Sequence, residues 1–175
     1  NIIDGDTVSY SSDGGATWSG DNPAYTNVGT YTVNVKVTNP NYNDRTGSGT
    51  VTITPAEVTI TVDNASKVYG EDDPAFTGTV AGLIGSDSID PVYSRTNSDE
   101  NVGTYADVLT ASYTANSNYT VTVVPGDFTI TAATGAELAI TDYSGVYDAA
   151  AHSISVDNII DGDTVSYSSD GGATW

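Results

Sequence analysis

Cysteine and methionine are both absent from the 175 residues. Without cysteine there is no disulfide, no thiol chemistry and no cysteine-based zinc site. Without methionine the other easily oxidised side chain is missing as well. Basic residues are scarce: Lys36, Arg45, Lys67 and Arg95 stand against 23 acidic residues, for a formal net charge of -19. Nucleic-acid binding needs clustered lysine and arginine to displace counterions, and docking on anionic lipid needs them too, so neither nucleic acid nor membrane is expected as a partner of this segment. A field of this sign favours solubility, repulsion between chains and attraction of cations. No apolar run reaches the length of a membrane span, and no stretch reads as a signal peptide. The first residue is not Met and opens a strand-like run, so the expectation is a longer natural protein with its export signal or anchor outside this window.

What is present is periodic. Tyr31, Val33, Val35 and Val37 alternate with polar residues, as do Val58, Ile60 and Val62, then Tyr119, Val121 and Val123, then Phe128 and Ile130. Period-two alternation with one apolar face is the signature of half-buried strands. Twelve Tyr, two Trp and two Phe supply bulk for small cores. Turn signals (Asp13-Gly14-Gly15, Asn39-Pro40, Asp73-Pro74, Pro125-Gly126) separate the runs at sandwich-like spacing. A strand beginning Gly-Thr-Tyr, an Asn-Tyr turn and a last Thr-Ile-Thr strand read as the final hairpin of an immunoglobulin-like sandwich. The expected class is therefore all-β, as tandem small immunoglobulin-like sandwiches arranged as a rod. The alternative, a β-grasp module, requires one helix, for which the only stretch is Asp73–Gly85.

Residues Asn1–Trp18 recur unchanged as Asn158–Trp175, a period of 157 residues. A diverged duplication lies inside it. Asn27–Tyr31 and Asn101–Tyr105 both read NVGTY; Asn41-Tyr42 is answered by Asn118-Tyr119, and Thr52-Ile53-Thr54 by Thr129-Ile130-Thr131. Ala56-Glu57 is answered by Ala136-Glu137, and Val68-Tyr69-Gly70 by Val146-Tyr147-Asp148. Two sister modules of roughly 78 residues alternate, each large enough for one modest core. A type B module is complete at 57–133. A type A module is split, its front at 134–175 (of which 158–175 repeats 1–18) and its back at 1–56. The joints Thr54–Glu57 and Thr131–Glu137 are short, which implies a stiff array.

Val68-Tyr69-Gly70 with Asp73-Pro74, Leu83, Asp87, Asn101–Tyr105 and Asn118-Tyr119 resembles the MBG repeats of the YGX type in bacterial surface proteins. Val146-Tyr147-Asp148 with His152, Gly15–Trp18, Pro23, Asn27–Tyr31 and Asn41-Tyr42 is similar to the sister repeats found beside them. The resemblance covers essentially the whole chain. It implies an exported, adhesin-type or stalk protein at the bacterial cell surface or outside the cell, with no defined catalytic residues. Asp148-Ala149 departs from the Asp-Gly common in the sister repeats.

Ser11-x-Asp13-x-Gly15-x-Thr17-Trp18 also resembles the Asp-box hairpin of sialidase-like propellers, where its role is structural; Ser168–Trp175 repeats it. A propeller needs copies every 40–50 residues or so, whereas here they recur once per period. Asp13, Gly15, Trp18, Tyr31, Tyr69 and Tyr105 are expected as structural motif residues. Asp4, Asp6, Glu71, Asp72, Asp73 and Asp87 lie in turn-like segments. They are the candidates for calcium, which wants several oxygen ligands, although no EF-hand or nonapeptide motif is present and the expectation is no cofactor. His152 is the only imidazole and reads as structural. Lys67 is a minor candidate for an intramolecular isopeptide bond, and Lys36 is placed on the polar face of its strand. Trp18, Tyr25, Tyr42, Tyr93 and Tyr119 offer either packing or a sugar-stacking platform. No nucleophile, base and orienting group can be placed together, so no enzyme is expected. The leading expectation is a structural repeat of a fibre or stalk whose partners are neighbouring repeats or identical chains end to end, forming head-to-tail filaments; the alternative is an adhesin module for host or matrix glycans.

Overall fold

A computed structural model describes residues 2–175. All regular structure among them is β, and no helix is long and apolar enough to cross a membrane. Thr7–Ser11 (β1), Gly29–Asn39 (β2) and Tyr42–Ile53 (β3) form an antiparallel meander in that order. Tyr10 pairs with Val35 and Val8 with Val37, so the alternating apolar residues of both strands share one face. Val33 on that face is buried, whereas β3 is exposed along almost its whole length.

The following elements close into a two-layer sandwich. Ala56–Val62 (β4), Ala65–Val68 (β5), Gly78–Ala81 (β6), Val92–Arg95 (β7), Gly103–Ser112 (β8), Tyr119–Val124 (β9) and Gly126–Thr131 (β10) divide into sheets ordered β6-β4-β9 and β5-β10-β8-β7. Each sheet contains one parallel pairing, β4 with β9 and β5 with β10. The inward residues of the first sheet gather Val58, Ile60 and Tyr119 around Ile89. Those of the second gather Leu109, Phe128 and Ile130 with Val62. Tyr93, Ala111 and Val123 touch both clusters, so this is one core.

Two expectations change here. The stretch weighed as a helix, Asp73–Gly85, contains β6, so the β-grasp alternative falls. A final hairpin exists in the first sheet as β2 and β3, whereas in the sandwich β9 leaves β8 and joins the other layer. The chain crosses between layers at Pro125-Gly126. Pro125 has no N–H to give to a ladder, and Gly126 is buried against backbone, a built Cβ falling 2.7 Å from the Asp63 carbonyl oxygen and 2.9 Å from that of Val62. Only glycine passes there.

Beyond β10 the chain holds two short strands, Ala139–Thr141 (β11) and Ser155–Asp157 (β12), paired antiparallel and largely exposed. Residues 158–175 provide an internal control, since they repeat 1–18. Thr7–Ser11 is a strand because β2 lies beside it; the identical Thr164–Ser168 has no such neighbour and is not a strand. Tertiary pairing, not local propensity, makes this strand.

Candidate functional site

The Asp-box hairpin is held by bonds among its own residues. Asp13 accepts hydrogen bonds from the Thr17 hydroxyl (2.6 Å), the Thr17 amide (3.0 Å) and the Ser11 hydroxyl (2.7 Å), and Ser11 Oγ accepts from the Gly15 amide (2.8 Å). Those donors, the Thr17 hydroxyl foremost, hold the Asp13 carboxyl far below the usual carboxylate range. Gly14 and Gly15 sit at φ of +76° and +94°, a region that side chains with a Cβ avoid. Trp18 Nε1 donates to the Gly15 carbonyl, and Lys36 Nζ lies 4.9 Å from the Trp18 ring centre, a cation–π contact. Ser168, Asp170, Gly172 and Thr174 repeat the same bonds where no neighbouring strand exists. The hairpin is self-sufficient.

Both NVGTY segments make one further recurrent device. The Tyr31 hydroxyl donates to the Asn27 carbonyl (3.0 Å) and that of Tyr105 to the Asn101 carbonyl (2.8 Å), each tying a strand start to the loop before it. Tyr31 also stacks on Tyr25, centroids 3.9 Å apart. Tyr69 is exposed, and its backbone amide donates to the Thr131 carbonyl.

Four charges close a ring between the two outer strands, β5 and β7, of the four-stranded sheet. The almost fully buried Lys67 ammonium meets Asp73 Oδ1 (2.8 Å) and Glu100 Oε2; Arg95 meets Asp73 Oδ2 (3.1 Å) and Glu100 Oε1 (2.5 Å) and covers the face of Phe128. Asp73 and then Glu100 raise the Lys67 pKa, and Lys67 and then Arg95 lower that of Glu100. The amine is thus held protonated, the opposite of what attack on a carboxyl to form an isopeptide bond requires. Arg95 and Glu100 carried no signal as a pair in the sequence. The scarcity of cations was the available clue, because every one of the four has a structural partner: Lys36 has Trp18, and Arg45 has Asp6 at 2.5 Å.

The metal candidates are dispersed. Asp6 accepts from Ile3 N (3.0 Å), Asn39 Nδ2 (2.9 Å) and Arg45, and the first of these leads in lowering its pKa. The Asp4 carbonyl accepts from Asn39. Glu71 faces the Val68 amide, Asp72 is exposed in the same turn, and Asp73 belongs to the ionic ring. Asp87 accepts from the Tyr119 hydroxyl (2.7 Å), which raises the Tyr119 pKa. Among the described residues no three acidic or histidine side chains are grouped to hold a metal ion. His152 stacks on Tyr143 and its Nε2 lies 2.8 Å from Asp148, whose pKa it lowers. Ala149, the departure from Asp-Gly, stands at φ +60°, so the glycine-type turn is kept at a strain of about 1–2 kcal/mol.

The groups that do converge lie between the first sheet and the sandwich. Only Thr54 and Pro55 separate β3 from β4. Asn118 bridges the joint: its Oδ1 accepts from the Val28 amide (2.9 Å) and its Nδ2 donates to Asn27 Oδ1 (3.1 Å). Val28, Ile53, Ala56, Ile84 and Tyr119 line a cleft of about 190 Å³ beside it. The Asn118 side chain therefore bonds to both the backbone and a side chain of the neighbouring unit.

A sandwich built this way, with short joints and its polar groups occupied in holding strands and turns, is a repeat module. Residues 58–129, nearly the whole of the sandwich, match the family model described as MBG domain (YGX type). MBG domains are typical of extracellular and surface proteins. No curated protein and no solved structure matches the chain.

Proposed function

We propose that the chain is a structural repeat of a long fibre or stalk at the bacterial cell surface, in which sister modules stand end to end and perform no chemistry of their own. The joint carries this reading. A two-residue linker containing Pro55, with Asn118 bonded across it to Asn27 and Val28, restricts the bending of one unit against the next. In tandem, such joints convert repeat number into reach, and the charge of -19 per chain keeps neighbouring fibres apart. The position is repeated: Asn101-Val102 stands to the sandwich as Asn27-Val28 stands to the first sheet, so it offers a following module the same bond.

Electron microscopy of chains with one, two and four tandem periods tests this, with particle length expected to grow in proportion to period number. Asn118→Ala is expected to leave the melting of the sandwich within about 1 kcal/mol while broadening the distribution of angles at the joint. Compact particles of constant length would refute the rod.

One observation favours a second reading, an adhesin for glycans. Trp18 is partly exposed and rims an open groove with Asn34, Thr46 and Ser48, an aromatic face beside polar groups. A glycan array blank with two full periods removes it.

A further inference from the structure

We infer that the sandwich is a load-bearing clamp, in which tension along a fibre shears the whole ladder between its first and last strands at once. The inference rests on the stalk reading and gives the module its task within the stalk.

The register carries it. Ala56 faces Tyr119 and Thr61 faces Val124. In the other layer Ala65 faces Phe128 and Val68 faces Thr131. In every one of these pairs the partner stands 63 residues later in the chain (56 to 119, 68 to 131). The runs 56–68 and 119–131 are therefore two parallel neighbours along their whole length, and they change layer together.

The change of layer does not break their contact. Asp63-Asn64 of the first run meets Gly126-Asp127 of the second, with Gly126 packed on the Asp63 carbonyl and the Asp127 amide donating to Asn64 Oδ1 (2.7 Å). A side chain thus bridges the gap between the two backbone ladders. Outside the strands, the Ala56 amide donates to the Asn118 carbonyl (3.0 Å) and the Tyr69 amide to the Thr131 carbonyl (2.8 Å), which lengthens the ladder at both ends. The same two runs carry Val58, Ile60, Val62, Tyr119, Phe128 and Ile130, all buried. Backbone bonds beside such a dry core are stronger than bonds in water.

Direction decides how this ladder meets force. Tension arrives at Ala56 from the two-residue linker and leaves beyond Thr131, and these residues lie at opposite ends of the paired runs. Pulled this way, parallel neighbours slide along each other, and the evenly spaced bonds of a parallel ladder share the load. Antiparallel first and last strands would place entry and exit at one end, where the bonds open singly. The four-residue β5 and the bend at Asn64 are too short to bear load by themselves; continuous register makes them one device.

The experiment uses the full chain, which has no cysteine of its own. Handles are attached through pairs of cysteines introduced at exposed positions, and single molecules are pulled at one speed. Glu57→Cys with Thr131→Cys loads the ladder in shear. Glu57→Cys with Thr120→Cys, two residues that face each other, peels it from one end. The unfolding force is expected to be at least about twofold higher in shear, because the bonds then act together. Asn64→Ala is expected to lower the shear force and leave the peeling force unchanged, since peeling breaks the bonds at the 57–120 end before it reaches residue 64. Equal forces in the two geometries, or an Asn64→Ala effect of the same size in both, would overturn the inference. Both forces are read on single chains, so compact tandem particles would remove the stalk and leave the clamp standing.

Discussion

Phe128→Ala is expected to remove about half or more of the stability of the sandwich of residues 56–131 while leaving β1–β3 intact. Phe128 is fully buried, meets Phe76 edge-on with centroids 5.7 Å apart, and lies beneath Arg95. Truncating a buried Phe costs about 3–5 kcal/mol, and the lost aromatic pair adds roughly 1 kcal/mol. A module of this size has a total stability of only about 4–11 kcal/mol. The same truncation at the corresponding position of the first sheet, Val51→Ala, is expected to change stability by less than about 0.5 kcal/mol in dilute solution, because Val51 is exposed. Urea titration followed by NMR reads both variants. Comparable costs at the two positions would contradict the exposure of Val51.

Arg95→Ala ranks next. It removes two carboxylate contacts, the bond to the Asp99 carbonyl and the cover over Phe128. Breaking a buried ion pair from one side costs about 3 kcal/mol at the lower end, and that end applies because Glu100 keeps half its side chain in water. The ring also sets a pH profile. The Glu100 pKa is lowered from 4.5, so its contribution is complete above that value and is lost as pH falls through the lower folded value. The Lys67 pKa is raised from 10.5, so its contribution is complete below that value and is lost as pH rises through the higher folded value. Sandwich stability is therefore expected to be flat across the neutral range. The deficit of Glu100→Gln relative to the parent should shrink as the solution is acidified below pH 4.5. Thermal melts across pH check this; a deficit constant down to strong acid would show that the Glu100 charge is not what stabilises.

Strand identity was legible where alternation is strong, as in Val58–Val62, Tyr119–Val123 and Phe128–Ile130, because period two reports a half-buried face directly. Pairing was not legible. Nothing local tells Tyr119–Val124 to lie parallel to β4, and Pro125-Gly126 reads as a turn although it carries the chain from one layer to the other. The Asp-box was readable because its bonds lie within Ser11–Trp18. The ionic ring joins Lys67 to Glu100 across 33 residues, and the Asn118 contact with Val28 spans 90, distances over which only the folded chain brings partners together. Asp6, weighed for calcium, is held by Asn39 and Arg45, both distant in sequence.

Amide hydrogen exchange, measured residue by residue by NMR on the dilute full chain, tests most directly whether a neighbouring strand, rather than the local sequence, decides what is ordered. Slow exchange is expected in β4, β8, β9 and β10 and in Thr7–Ser11, with near-free exchange in Thr164–Ser168 despite its identical sequence. Equal protection of the two copies in the dilute chain would contradict it.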